Sequence, residues 1–203
     1  GAAISSGEID LAEGSDTLKL ANATNSLTVS NVETITGDSG ADTVTLGAAQ
    51  TSGNIDLGAG ADTLVLFDGA NTLTVTNVET VTGDSGADSI TFGAAISGAA
   101  VDLGDGTDTL VLVNGTNNVT ASNVETVTAA SGADTVTLGA AISGAVVNLG
   151  AGSDTLVLSG AGANDVTVSN TETVTGGADD DTVTLATTIS GGVVDLAAGT
   201  DIL

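Results

Sequence analysis

The 203-residue chain has no cysteine, proline, methionine, tryptophan, tyrosine or histidine. Its only aromatic side chains are Phe67 and Phe92. The lack of cysteine rules out a disulfide framework; it suits many secreted bacterial proteins but fixes no redox compartment. Positive charge is almost missing. Lys19 stands alone against 26 acidic residues, for a net charge of −25. Nucleic-acid binding requires Lys and Arg to displace counterions, so it is excluded as a function, and anionic membrane surfaces are disfavoured for the same reason. There is no apolar run of ~20 residues to span a bilayer, and no basic-then-apolar leader is visible. What remains is 41% hydrophobic, mostly Val, Leu, Ile and Ala. Disorder at this charge would require low hydrophobicity, so the chain reads as folded around a thin aliphatic core.

The sequence repeats. GAAISSGEIDL at Gly1 returns as GAAQTSGNIDL at Gly47, GAAISGAAVDL at Gly93, GAAISGAVVNL at Gly139 and ATTISGGVVDL at Ala186. The offsets are 46, 46, 46 and 47, and the Asn-x-Glu tags at Asn31, Asn77, Asn123 and Asn170 keep the same spacing. The chain therefore divides into repeats 1–46, 47–92, 93–138 and 139–185 with a partial repeat 186–203, forming one repetitive domain. Because the pattern is cut at both ends, the chain is expected to be a segment of a larger protein.

Each unit divides again. An Asp precedes each short apolar run, at 16, 42, 62, 88, 108, 134, 154, 181 and 201, with steps that alternate between 26 or 27 residues and 20. Such intervals are too short for independent domains and suit the coils of a solenoid, which bury their apolar faces only by stacking. DTVTL (Asp42 to Leu46) and DTLVL (Asp62 to Leu66) alternate with period two and are rich in β-branched residues, the pattern of a half-buried strand. In LTVTNVETVT (Leu73 to Thr82) the apolar spacing changes to three at Val78 and Val81, which marks a corner or bulge. AISGAAVDL (Ala95 to Leu103) is the second strand of the shorter coils. The expected fold is an all-β parallel β-solenoid of about nine coils, two coils to each 46-residue repeat, rising roughly 4.8 Å per coil. A β-sandwich would not require this periodicity, and the Gly, Thr and Val content argues against an α-solenoid.

If the coils stack in register, Asp16, Asp42, Asp62, Asp88, Asp108, Asp134, Asp154, Asp181 and Asp201 fall into one column on one edge. Each closes a turn containing glycine: Gly14, Gly40, Gly60, Gly86, Gly106, Gly132, Gly152 and Gly199 stand two residues before their aspartates. Asp38, Asp84, Asp105 and Asp179 lie in the same turns. Carboxylates about 5 Å apart repel one another, and no Lys or Arg is there to separate them. Calcium, which takes carboxylate and backbone carbonyl oxygens, is the expected counter-ion, with several ions held between adjacent coils. In the alternative, each Asp caps its turn by accepting backbone N–H groups and the charge serves solubility.

LGAGADTLVL and LGDGTDTLVL resemble the RTX, or hemolysin-type, calcium-binding nonapeptide G-G-x-G-x-D-x-U-x of parallel β-rolls. The NVETVTGDSGADTVTL style is similar to the repeats of bacterial surface-layer proteins and large RTX adhesins. The resemblance implies secretion, folding on extracellular calcium, and a place at the bacterial cell surface. This chain departs from the pattern in its longer coils, in carrying Gly-x-Asp on one expected edge only, in Leu57 and Leu103 where the motif opens with glycine, and in Asp179 where other turns have glycine.

Other constellations weigh less. Thr17, Thr43, Thr63, Ser89, Thr109, Thr135, Thr155 and Thr182 face outward and form Thr-x-Thr rows with the residues two further on; such a face resembles those of ice-binding solenoids, but threonine is also simply a good former of half-exposed strands. Glu33, Glu79, Glu125 and Glu172 are expected to be solvated, and the tag asparagines to hydrogen-bond along a corner. An enzyme is not expected, since every acid has a copy one repeat away. Gly-x-Gly-x-Asp lacks the lysine and helix of a phosphate loop. The expected role is a structural, calcium-rigidified extracellular solenoid in a surface layer, adhesin stalk or filament. Ice binding and a metal-free spacer are the alternatives. Self-association end to end or side by side is expected, and contact with cell-surface polysaccharide only through regions outside this segment.

Overall fold

The computed structural model describes residues 2–189 and 191–203, and these contain strands and turns but no helix. The first repeat folds into β1 (Gly7–Asp10), β2 (Thr17–Lys19), β3 (Ser26–Ser30), β4 (Thr34–Asp38) and β5 (Thr43–Leu46). The second gives β6 (Gly53–Gly58), β7 (Thr63–Val65), β8 (Thr72–Thr76), β9 (Thr80–Thr82) and β10 (Ser89–Phe92). The third gives β11 (Ser97–Asp102), β12 (Thr109–Leu112), β13 (Asn118–Ser122), β14 (Thr126–Ala129) and β15 (Thr135–Leu138). The fourth gives β16 (Ser143–Asn148), β17 (Thr155–Val157), β18 (Asp165–Ser169), β19 (Thr173–Thr175) and β20 (Thr182–Leu185), and β21 (Val193–Asp195) follows.

Successive strands alternate between two sheets. The odd strands build an eleven-stranded sheet in sequence order and the even strands a ten-stranded one. Each strand pairs in parallel with those two places before and after it, as β3 does with β1 and β5. The expected all-β parallel β-solenoid is thus the architecture found. Two strands make one turn, and the short strands fit because a coil buries only two or three side chains per strand.

The repeat itself is not two coils. Five strands per repeat are two and a half turns. The reason lies at the corner in LTVTNVETVT: Asn77 adopts φ +52, and the chain leaves β8 there to re-enter as β9 in the other sheet. Each repeat therefore begins on the sheet opposite to its predecessor. Both sheets cycle through the five repeat positions in one order (first, third, fifth, second, fourth), so the two faces carry the same chemistry, offset along the axis.

The core lies between the sheets and is aliphatic, as the composition requires. Val44, Leu46, Ile55, Leu57, Leu64 and Ile90 are at most 2% exposed, and Phe92 fills the same layer. Phe67 sits at a turn and is partly exposed. Gly98 and Gly144, with φ +85 and +79, sit where the register slips at the start of β11 and β16; an L-residue rarely adopts that conformation.

Candidate functional site

The side chain that precedes most strands occupies the edge of the core. Along the edge entering the eleven-stranded sheet these rungs are Asn25, Asp42, Asp62, Glu79, Ile96, Asn117, Asp134, Asp154 and Glu172. Along the other they are Asp16, Glu33, Gln50, Asn71, Asp88, Asp108, Glu125, Ile142, Asn164, Asp181 and Asp201. The single aspartate column is therefore corrected to two: Asp42, Asp62, Asp134 and Asp154 on one edge, the other five on the opposite edge. The odd number of strands per repeat sends each new pair to the other side.

The rungs form hydrogen-bonded ladders. Asn25 N–H donates to Asp42 Oδ1 at 2.8 Å, Asp42 N–H to Asp62 Oδ1 at 2.7 Å and Asp62 N–H to Glu79 Oε2 at 2.8 Å. The other edge repeats this from Asn71 through Asp88 and Asp108 to Glu125 at 2.8, 2.7 and 2.8 Å. Asn117, Asp134, Asp154 and Glu172 do so again. The turn-capping alternative thus describes what the aspartates from Asp42 onward do here, except that each caps the turn of the preceding coil. The ladder also includes residues that the sequence reading missed. Asn25, Asn71, Asn117 and Asn164 hold rung positions, and Glu33, Glu79, Glu125 and Glu172 are rung acceptors rather than merely solvated acids. The signal was there: NSLTV, NTLTV, NNVTA and NDVTV place Asn where DTVTL places Asp.

Seven of the aspartates, Asp42, Asp62, Asp88, Asp108, Asp134, Asp154 and Asp181, are at most 2% exposed. Oδ2 has no hydrogen-bond partner in Asp16, Asp42, Asp62, Asp88, Asp108, Asp134 and Asp154. Burial pushes the Asp108 carboxyl up to about 6; the Asp88 N–H it accepts pulls the other way, while the charges of Glu125 and Asp88 add to the rise. Asp62 and Asp154 are raised chiefly by the same burial.

This donor set fits calcium poorly. Calcium requires six to eight oxygens. Oδ1 is already committed to an N–H, and the rung carbonyls serve the sheets, as Asp42 O does for Thr63 N–H and Asp108 O for Thr126 N–H. Among the described residues no three acidic side chains are grouped so as to hold a metal ion. The turn acids Asp38, Asp84, Asp105 and Asp179 are exposed instead. Of the turn glycines, Gly60, Gly106 and Gly152 serve close approach: a Cβ there would run into the carbonyl oxygen of the turn below and lie 2.8–2.9 Å from the rung Oδ1. Gly86, Gly132 and Gly199 are needed for φ of +124, +138 and +148.

The tag asparagines do bond along a corner. At φ between +48 and +53, Asn31, Asn77, Asn123 and Asn170 donate from Nδ2 to Asp10, Asp56, Asp102 and Asn148 at 2.7–2.9 Å. The bond from Asn31, with one from the Ala12 N–H, holds Asp10 below the usual carboxylate range. Threonine rows cover both outer faces, as in the register series Ser26, Thr43, Thr63, Thr80. They are interrupted by Val65, Val111 and Val157 and by the Asp- or Asn-bearing strands β6, β11 and β16. Comparison with protein-family models, curated proteins and solved structures returns no match for the chain.

Proposed function

We propose that the chain is a structural rod: a solenoid spacer sealed along both edges by its own side chains, serving in a surface layer, adhesin stalk or filament outside the bacterial cell, with no chemistry of its own. The supporting observation is the pair of edge ladders, in which one oxygen of each carboxylate from Asp42 onward accepts a backbone N–H and whose acidic rungs recur from repeat to repeat. An active site would break that symmetry. The extracellular setting rests on the resemblance to RTX repeats, and the spacer is the metal-free version of that reading because the rung oxygens do not form a calcium donor set.

A spacer should change length without losing its fold. Deleting 47–138, two repeats and so five whole turns, joins β5 to β16 in place of β6 and keeps every strand on its own sheet. Small-angle scattering should show a folded rod shortened by about 24 Å. Collapse or unfolding of the deletion variant would refute the reading, and thermal hysteresis in the same preparation would favour ice binding in its place.

A further inference from the structure

The asparagine rungs Asn25, Asn71 and Asn117 and the aspartate rungs from Asp42 onward share a shape and a task, since Oδ1 accepts the N–H of the rung before; Asn164 Oδ1 has no partner. They differ at the second terminal atom. Asn71 Nδ2 donates to Phe67 O at 2.9 Å, Gly69 O at 2.6 Å and Asp88 Oδ1 at 2.9 Å. Asn117 Nδ2 does the same toward Val113 O, Gly115 O and Asp134 Oδ1. In the aspartate rungs Asp42, Asp62, Asp88, Asp108, Asp134 and Asp154 that place is taken by Oδ2, a buried acceptor without a donor. Leaving such an oxygen charged and unpaired is costly.

The second aspartate of each pair is the worse placed. Asp62 lies between Asp42 and Glu79, Asp108 between Asp88 and Glu125, and Asp154 between Asp134 and Glu172. Acids therefore flank it on both sides along the axis, and the core that the rungs border is aliphatic. The single cation, Lys19, is exposed on β2 at one end of the stack.

We propose that Asp62, Asp108 and Asp154 are proton-binding sites that tighten the rod on acidification, each taking a solvent proton on Oδ2 and so gaining the hydrogen that asparagine supplies in its own rungs. No other bond changes. Burial and the flanking acids raise these carboxyls, Asp108 to about 6, against an ordinary value of about 3.9. For a raised group the stabilisation is whole below the unfolded value and is lost as pH rises through the folded one. The rod is therefore firmer near pH 5 than near pH 7.5. This goes beyond the spacer reading and stands or falls separately from it.

The test is thermal melting by circular dichroism in chelator. From pH 7.5 to 5 the melting temperature of the wild-type chain should rise by about 5 °C or more, and the infrared band of a protonated carboxyl should persist at pH 6. The triple variant Asp62→Asn, Asp108→Asn, Asp154→Asn should melt higher at pH 7.5 and lose most of the pH dependence, with the single Asp108→Asn intermediate. A control carrying Asp38→Asn, Asp84→Asn and Asp105→Asn removes the same charge from exposed turns and should keep the pH dependence. The proposal is overturned if the control flattens the response as much as the rung variants, since net charge then explains it. It is also overturned if the wild type melts lower on acidification, or if the triple variant fails to fold where the control folds. Calcium that raises melting of the wild type at pH 7.5 but not of the triple variant would overturn it as well, by making the rung a metal site.

Discussion

Among the side-chain bonds that tie each coil to its neighbour, the rungs inside the edge and the asparagine corners outside it differ most. Asn117 and Asn123, six residues apart, show the contrast. Asn117 is fully buried, accepts the Ile96 N–H at 3.2 Å and donates three bonds from Nδ2. Asn123 is exposed, makes one bond to Asp102 at 2.8 Å, and holds φ +52. One residue type thus does two physically different things: the rung residue is there for its hydrogen bonds, and the corner residue chiefly for its backbone. Exposed hydrogen bonds exchange with water at little net cost, whereas a buried group left unpaired bears the full desolvation penalty.

Substitutions should separate the two. The largest effect is expected at Gly106, packed under the Asp108 rung, where an added Cβ meets the Gly86 carbonyl oxygen. Gly106→Ala should cost about 4 kcal/mol, while Gly98→Ala, which opens onto empty space at φ +85, should cost only about 1 kcal/mol from backbone strain. Denaturant melts of the two variants give the comparison directly, and equal losses would erase it. Asn117→Ala strips a buried rung and should cost about 3 kcal/mol, lowering the melting temperature by about 9 °C in a chain of this size. At the corner, Asn123→Ala should cost about 1 kcal/mol, because alanine is strained at positive φ. The smallest effect is expected for Asn123→Gly, within about 0.5 kcal/mol of wild type, because glycine restores the backbone and only an exposed hydrogen bond is lost. If Asn123→Gly proved as damaging as Asn123→Ala, the corner would depend on its side chain after all.

The pattern of DTVTL, alternating and β-branched, was enough to place Val44 and Leu46 inside and Thr43 and Thr45 outside, and the spacing of its copies was enough to stack the coils. The change of apolar spacing at Val78 and Val81 marked a corner or bulge in LTVTNVETVT, but not that the chain crosses there to the other sheet and adds a half turn. The φ of Asn77 and the strand order show that crossing, and that one corner decides whether five strands or four fill a repeat. The aspartates were visible as a series but not their division between two edges, which follows from that parity. Asn25 and Glu79 were hidden for a different reason: sequence marks a rung by its charge, whereas the ladder selects for an oxygen at the right reach, which an amide or a longer acid supplies equally well.

The rung ladder also has a direction. Each bond runs from an N–H on one coil to an oxygen on the coil that follows it, in the order Asn25, Asp42, Asp62, Glu79. A stretch that begins and ends on aspartate rungs offers carboxylate oxygens without donors at its leading end and N–H groups without acceptors at its trailing end. Two stretches brought head to tail complete each other's ladders. Brought head to head they set acid against acid. A fibre assembled from such coils would therefore be polar, with chemically distinct ends and a single sense of growth written into the edge of every turn.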